Sequence, residues 1–197
     1  MNFESFREKI AYQPILLGIF ALLASGALAW ASSATGEAIA AAEAKDLRDS
    51  LSEVLPQGLA DNDFLTDTVD LKKGEKTITI YRARQGGVVK AALFKVAERG
   101  YAGDILVLMA VDTDGKTLGV RVIKHVETPG LGDKIEIKKD KWIKDFDGKS
   151  LGDPAPEKWA VKKDNGVFDQ FAGATITPRA VVKAITEGLR FFDANKA

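Results

Sequence analysis

"KTITIYRARQGGVVKAALFKV" (residues 76–96) sets β-branched and aromatic residues on both sides of Gly86-Gly87. Paired glycines between two such runs predict a β-hairpin, because a two-residue turn needs backbone angles that glycine reaches without steric cost. Downstream, "DILVLMAVDTDGKTLGVRVIKHV" (residues 104–126) repeats the arrangement about Asp114-Gly115. Two hairpins in succession predict an antiparallel sheet.

Helical periodicity brackets these strands. From Glu37 to Leu55 the chain is rich in Ala, Leu, Glu and Lys, and Leu47, Leu51, Val54 and Leu55 recur at helical spacing. A helix ending before Pro56 is predicted, since proline disfavours the helical conformation of the residue ahead of it. At the other end Val181, Val182, Ile185, Leu189 and Phe192 share one face of a helix starting near Pro178. Helices that flank strands instead of alternating with them predict the α+β class: an antiparallel sheet of hairpins flanked by helices.

Ahead of this domain, no residue from Ile10 to Gly36 carries a charge, and "PILLGIFALLASGALAWA" (residues 14–31) is almost wholly apolar. At about 1.5 Å per residue this run reaches roughly 27 Å, close to the hydrocarbon thickness of a bilayer. One N-terminal transmembrane helix is predicted. Ala27-Leu28-Ala29 and Ala29-Trp30-Ala31 resemble the small-residue cleavage site of a secretory signal, but the apolar run exceeds a typical signal core and favours an uncleaved anchor. Arg7 and Lys9 precede the span closely, whereas Lys45 and Arg48 follow at a distance among Glu37, Glu43 and Asp46. The positive-inside rule then puts the short tail in the cytoplasm and the main domain outside. The expected organisation is a cytoplasmic tail (1–13), a transmembrane helix (14–31), a flexible linker (32–36) and an outer domain (37–197), single-pass in a bacterial inner membrane with the domain in the periplasm.

Composition narrows the chemistry. With 197 residues the chain suffices for one compact domain plus a tail. Lys plus Arg number 28 and Asp plus Glu number 28, so no net field gathers nucleic acid. The absence of cysteine removes disulfides, thiolate nucleophiles, iron–sulfur clusters and Cys-based zinc sites. A single histidine, His125, rules out a multi-histidine metal centre and leaves one candidate general acid or base, with no nucleophile positioned beside it by any motif. "GLGDKI" (residues 130–135) lacks the third glycine of a dinucleotide fingerprint. Asp112-Thr113-Asp114-Gly115 and Asp145-Phe146-Asp147-Gly148 lack the distal glutamate of a calcium loop and read as turns.

Two stretches stand apart. In "DQFAGATITPRAVVKAI" (residues 169–185), Thr177 before Pro178 fits a helix N-cap followed by a first-turn proline. Thr175, behind the small residues Gly173 and Ala174, has no task that local structure demands. Its position at a helix start suits an anion, with Arg179 as a further cation, although a capped loop explains the same residues. In "HVETPGLGDK" (residues 125–134), Thr128-Pro129-Gly130-Leu131 suits a type II turn. That turn either ends a strand or lets Gly130 and Gly132 bring backbone close to a flat ligand against which Leu131 packs. Trp142, Phe146, Phe168 and Phe171 read as core or as shields for such a ligand, and Lys124 and Lys134 as surface charges or as partners of an anionic ring.

Together the two stretches resemble the covalent-flavin domain of the G subunit of the Rnf/Rsx electron transport complex, related to the C subunit of the sodium-pumping NADH:quinone reductase. The resemblance covers most of the chain, the span included. In that family a D-x-x-[ST]-G-A-T motif carries FMN as a phosphoester on its last threonine. Asp169, Gly173, Ala174 and Thr175 match the motif, and Ala172 departs from its Ser or Thr. The resemblance implies covalent FMN on Thr175, and flavin contacts from Glu127, Thr128, Gly130, Leu131 and Gly132, with Gly173, Ala174 and Thr177 around the attachment point. It implies no catalytic residue and no metal ligand in this chain. It also implies a separate flavin transferase using FAD and magnesium, and membrane-subunit partners in a complex that couples ferredoxin and NAD chemistry to ion movement. The alternative expectation is a flavin-free, membrane-anchored periplasmic scaffold protein of the same complex.

Overall fold

A computed structural model describes residues 12–74 and 76–196. The chain divides into residues 1–45 and 46–197. In the first part, helix α1 (Tyr12–Glu53) contains the apolar run, with a mean hydropathy of 2.0 over its best window and none of that window buried. By length and composition it is able to cross a membrane. Arg7 and Lys9, on which the expected orientation rests, lie outside the described residues.

The expected flexible linker at 32–36 is helical instead, because α1 runs unbroken to Glu53. Thr35 Oγ1 donates to the Ala31 carbonyl at 2.8 Å, so its hydroxyl is satisfied inside the helix. No proline interrupts the stretch, and one interior glycine costs only about 1 kcal/mol relative to alanine, which a long helix tolerates. The helix ends ahead of Pro56, as its sequence predicts.

In the second part, strands β1 (Thr68–Lys73), β2 (Lys76–Gln85), β3 (Val88–Arg99), β4 (Asp104–Asp112) and β5 (Thr117–Lys124) form one sheet in chain order. Every neighbouring pair is antiparallel. Gln85 pairs with Val88 across Gly86-Gly87, whose φ values of 58° and 80° supply the left-handed turn that the sequence requires. Both expected hairpins are present. Strand β1 is an addition to the expected elements: Val69 and Leu71 alternate with Asp70 and Lys72 and face Ile80 and Ile78 of β2, but six residues with so little burial carry a weak pattern.

Side chains of β4 alternate between two cores. Val107, Met109 and Val111 face helix α2 (Ile176–Asn195) together with Phe94, Val181, Ile185 and Leu189. Leu108 and Ala110 face the end of α1 with Leu51, Val54 and Leu93. Burial on both faces explains why "ILVLMAV" is an uninterrupted apolar run rather than an alternating one. The fold is α+β.

Residues 125–175 connect β5 to α2 with four short 3-10 turns, at Asp133–Ile135, Trp142–Phe146, Pro156–Lys158 and Lys162–Asp164. A stretch this long without regular structure needs its own core. Phe146 and Phe168 stack at 4.3 Å between ring centroids, Trp142 meets Phe146 and Phe171 edge-on, and all four rings are buried. The indole N–H of Trp142 donates to the Asp169 carbonyl at 3.0 Å. These aromatics build the scaffold under the loop, and none lines the cleft at the start of α2.

Candidate functional site

The α2 start and the turn after β5 meet at a cleft of about 300 Å3 lined by Tyr101, Glu127, Thr128, Leu131, Gly132, Gly173, Ala174, Thr175, Ile176 and Thr177. Eight of the nine residues expected at the site share this cleft, and the ninth, Gly130, does not line it. Gly130 has φ of 77°, and the Leu131 N–H donates to the Thr128 carbonyl at 3.2 Å, which is the expected turn with Pro129 ahead of glycine. The buried Asp133 carboxylate accepts the Gly130 N–H, which holds its pKa below the usual aspartate value despite desolvation, with Lys139 Nζ at 3.6 Å adding to the effect. A Cβ on Gly132 would lie 2.9 Å from Thr177 Oγ1 and 3.0 Å from Glu127 Cβ. Only glycine lets this turn close against the start of α2.

The helix starts two residues earlier than the sequence reading places it, which moves the N-cap position from Thr177 to Thr175. Helix α2 begins at Ile176, so Thr175 and not Thr177 occupies the N-cap position, and its side chain makes no capping hydrogen bond. Thr177 is 1% exposed and its hydroxyl donates to Glu127 Oε2. The expected N-cap role of Thr177 is therefore corrected: a buried acceptor fifty residues away in sequence captures its hydroxyl, a long-range contact that local helix grammar does not contain. Pro178 falls within the first turn, where a missing N–H leaves no bond unmade. The first helical bond runs from the Arg179 N–H to the Thr175 carbonyl at 3.3 Å, ahead of which the Ile176 and Thr177 N–H groups lie at the positive end of the helix dipole.

Glu127 ties the site together. It is 5% exposed, and while Oε2 accepts from Thr177, Oε1 accepts the Ala102 N–H at 3.1 Å. His125 Nδ1 accepts the Glu127 N–H at 3.2 Å and its Nε2 pairs with Glu136 Oε1 at 3.0 Å. Both ring nitrogens thus serve the backbone trace and a neighbouring carboxylate, and the ring does not line the cleft.

Other expectations are redirected by ion pairs. Arg179, considered as a cation for an anion at the helix start, is held by both oxygens of Asp164, at 2.5 and 2.6 Å. That contact raises the pKa of Arg179 and lowers that of Asp164. Asp169 pairs with Lys162 at 2.6 Å, and Lys134 Nζ lies 6.0 Å from the Phe171 ring centroid. Neither lysine nor Asp169 lines the cleft, nor does Lys124. Two lining residues go beyond those expected, Tyr101 and Ile176. Tyr101 is marked in sequence only as an aromatic residue in the small-residue turn "GYAG", and Ile176 sits unmarked between the two threonines.

Residues 100–190 match the family model described as an FMN-binding domain. The G subunit of the ion-translocating oxidoreductase complex from Cereibacter sphaeroides (strain ATCC 17023) is 53% identical over 184 residues, covering 93% of this chain and 84% of that protein. The chain belongs to this G-subunit family. The family member from Stutzerimonas stutzeri is 47% identical, over 95% of this chain and 83% of its own length. A crystal structure of Shewanella oneidensis NqrC shares 26% identity and a TM-score of 0.46, over 68% of this chain and 67% of that one.

The cleft fits FMN by its own chemistry. It offers a partly exposed hydroxyl not engaged in capping, free N–H donors at a helix start for a phosphate, and apolar side chains from Tyr101, Leu131 and Ile176 for a flat ring. Its volume lies at the low end for small-ligand sites, so the walls enclose part of a molecule of that size and leave the rest accessible.

Proposed function

We propose that this protein is a membrane-anchored electron carrier that holds FMN by a phosphoester to Thr175, within a complex that couples redox chemistry to ion movement. The observation that carries the proposal is the division of labour between two neighbouring hydroxyls. Thr177 is buried and bonded to Glu127, while Thr175 stands at the N-cap, partly exposed and without a capping bond, on the wall of the cleft. An ester to Thr175 consumes nothing that the fold requires.

FMN supplies one- and two-electron chemistry, and the protein's contribution is placement. The N–H groups of Ile176 and Thr177, at the positive end of the α2 dipole, would hold the phosphodiester anion with no need of Arg179. Leu131 and the closely packed turn at 128–132 give an apolar wall that keeps water from one side of a ring, and Asp133 fixes that turn through Gly130. Family relationship supports a flavin transferase as the enzyme that makes the ester, with the other proteins of the complex as redox partners. The apolar, unburied run of α1 supports anchoring in the inner membrane, and the cations Arg7 and Lys9 support a periplasmic domain.

The test is direct. The full chain co-produced with a flavin transferase is expected to give a fluorescent band on a denaturing gel, and Thr175→Ala a dark one. A dark wild-type band returns the chain to a flavin-free scaffold, and a fluorescent Thr175→Ala band moves the ester elsewhere.

A further inference from the structure

We propose that Tyr101 is a ring-contact residue of this site, positioned by Glu127 against the isoalloxazine of the bound flavin; the inference rests on the FMN reading above. Tyr101 lies in the turn 100–103 between β3 and β4, far in sequence from both motifs, yet it lines the same cleft as Thr175. It is 68% exposed, and two further large apolar side chains on that cleft, Leu131 and Ile176, are 44% and 48% exposed. Three such side chains around one concavity form an apolar rim that water covers unfavourably, and a flat aromatic ligand removes it. Tyrosine suits the task, because its ring is rigid and its hydroxyl stays wet at the edge.

The turn that presents Tyr101 is fixed, not loose. The Gly100 N–H donates to the Gly103 carbonyl at 2.8 Å, and the Ala102 N–H donates to Glu127 Oε1 at 3.1 Å. Burying a carboxylate is costly unless its oxygens are bonded. Here one oxygen serves the residue beside Tyr101 and the other serves Thr177, two positions from the attachment point. One side chain therefore sets the separation between the ring-facing turn and the ester-bearing helix start.

A phenol in contact with a flavin quenches its emission, since it lends an electron to the excited ring and takes it back. The experiment uses the full chain with FMN attached in detergent, comparing wild type, Tyr101→Leu and Tyr101→Trp at equal flavin content measured after denaturation. Position 101 is exposed, so neither change removes core packing. Emission per flavin in the native state is expected to rise severalfold in Tyr101→Leu and to stay quenched in Tyr101→Trp, with all three equal once unfolded. Equal native emission from loaded wild type and Tyr101→Leu overturns the inference, including the case where Tyr101→Leu instead weakens assembly with the rest of the complex. A wild-type chain that carries no flavin overturns the FMN reading beneath it.

Discussion

Replacing Thr177 by valine isolates what the structure adds to the sequence. Valine keeps the branched shape but removes the hydroxyl, so Glu127 Oε2 loses its donor in a position where the carboxylate is nearly excluded from water. Leaving a buried acceptor unpaired costs about 1–3 kcal/mol. For a domain of this size each kcal/mol lowers Tm by roughly 2–4 °C, which gives a drop of several degrees. Thr175→Val removes a hydroxyl that makes no capping bond, and its effect is expected within about 0.5 kcal/mol of zero. Urea unfolding of the flavin-free chain, followed by the emission of the buried Trp142 and Trp159, measures both. Flavin attachment is expected to show the reverse order: retained in Thr177→Val and lost in Thr175→Val. A Thr177→Val chain that unfolds with wild type, or a Thr175→Val chain that is the less stable of the two, refutes the assignment of the buried bond.

Three further outcomes follow from named contacts. The lowered pKa of Asp133 means that its stabilising contribution is full above the ordinary aspartate value and is lost as pH falls through the lower folded value. The gap in urea midpoint between wild type and Asp133→Asn should therefore close in acid, and a gap independent of pH contradicts this. Leu51→Ala, at a fully buried site on the sheet face that meets α1, is expected to cost about 2–5 kcal/mol by chemical denaturation, and a change under about 0.5 kcal/mol would show that the end of α1 does not pack there. Arg179→Ala should leave covalent flavin content unchanged, because Asp164 already holds that guanidinium, and a loss of loading would restore Arg179 as an anion partner.

The sheet is legible wherever one short rule decides local structure. Gly86-Gly87 and Asp114-Gly115 announce their turns, and the apolar face of α2 its helix. Strand β1 escapes because two apolar residues among charges carry little periodicity. The linker misleads because Ser, Thr and Gly close together look like a break, whereas the Thr35 hydroxyl and the backbone are satisfied within α1. At the site, the two motifs identify most of the lining because each is continuous in sequence. Tyr101 and the Glu127 bonds to Thr177 and Ala102 join segments 25 and 50 residues apart, and pairings of that kind become visible only once β3, β4 and the turn after β5 are brought together.

The ester at Thr175 is open to direct observation. Trypsin cuts after Lys163 and Arg179, so one peptide, residues 164–179, contains Thr175 and Thr177 and no other hydroxyl residue. Fragment-ion mass spectrometry of that peptide from the native holoprotein should place the mass of one FMN phosphoester on Thr175. An unmodified peptide, or the added mass on Thr177, would contradict the account.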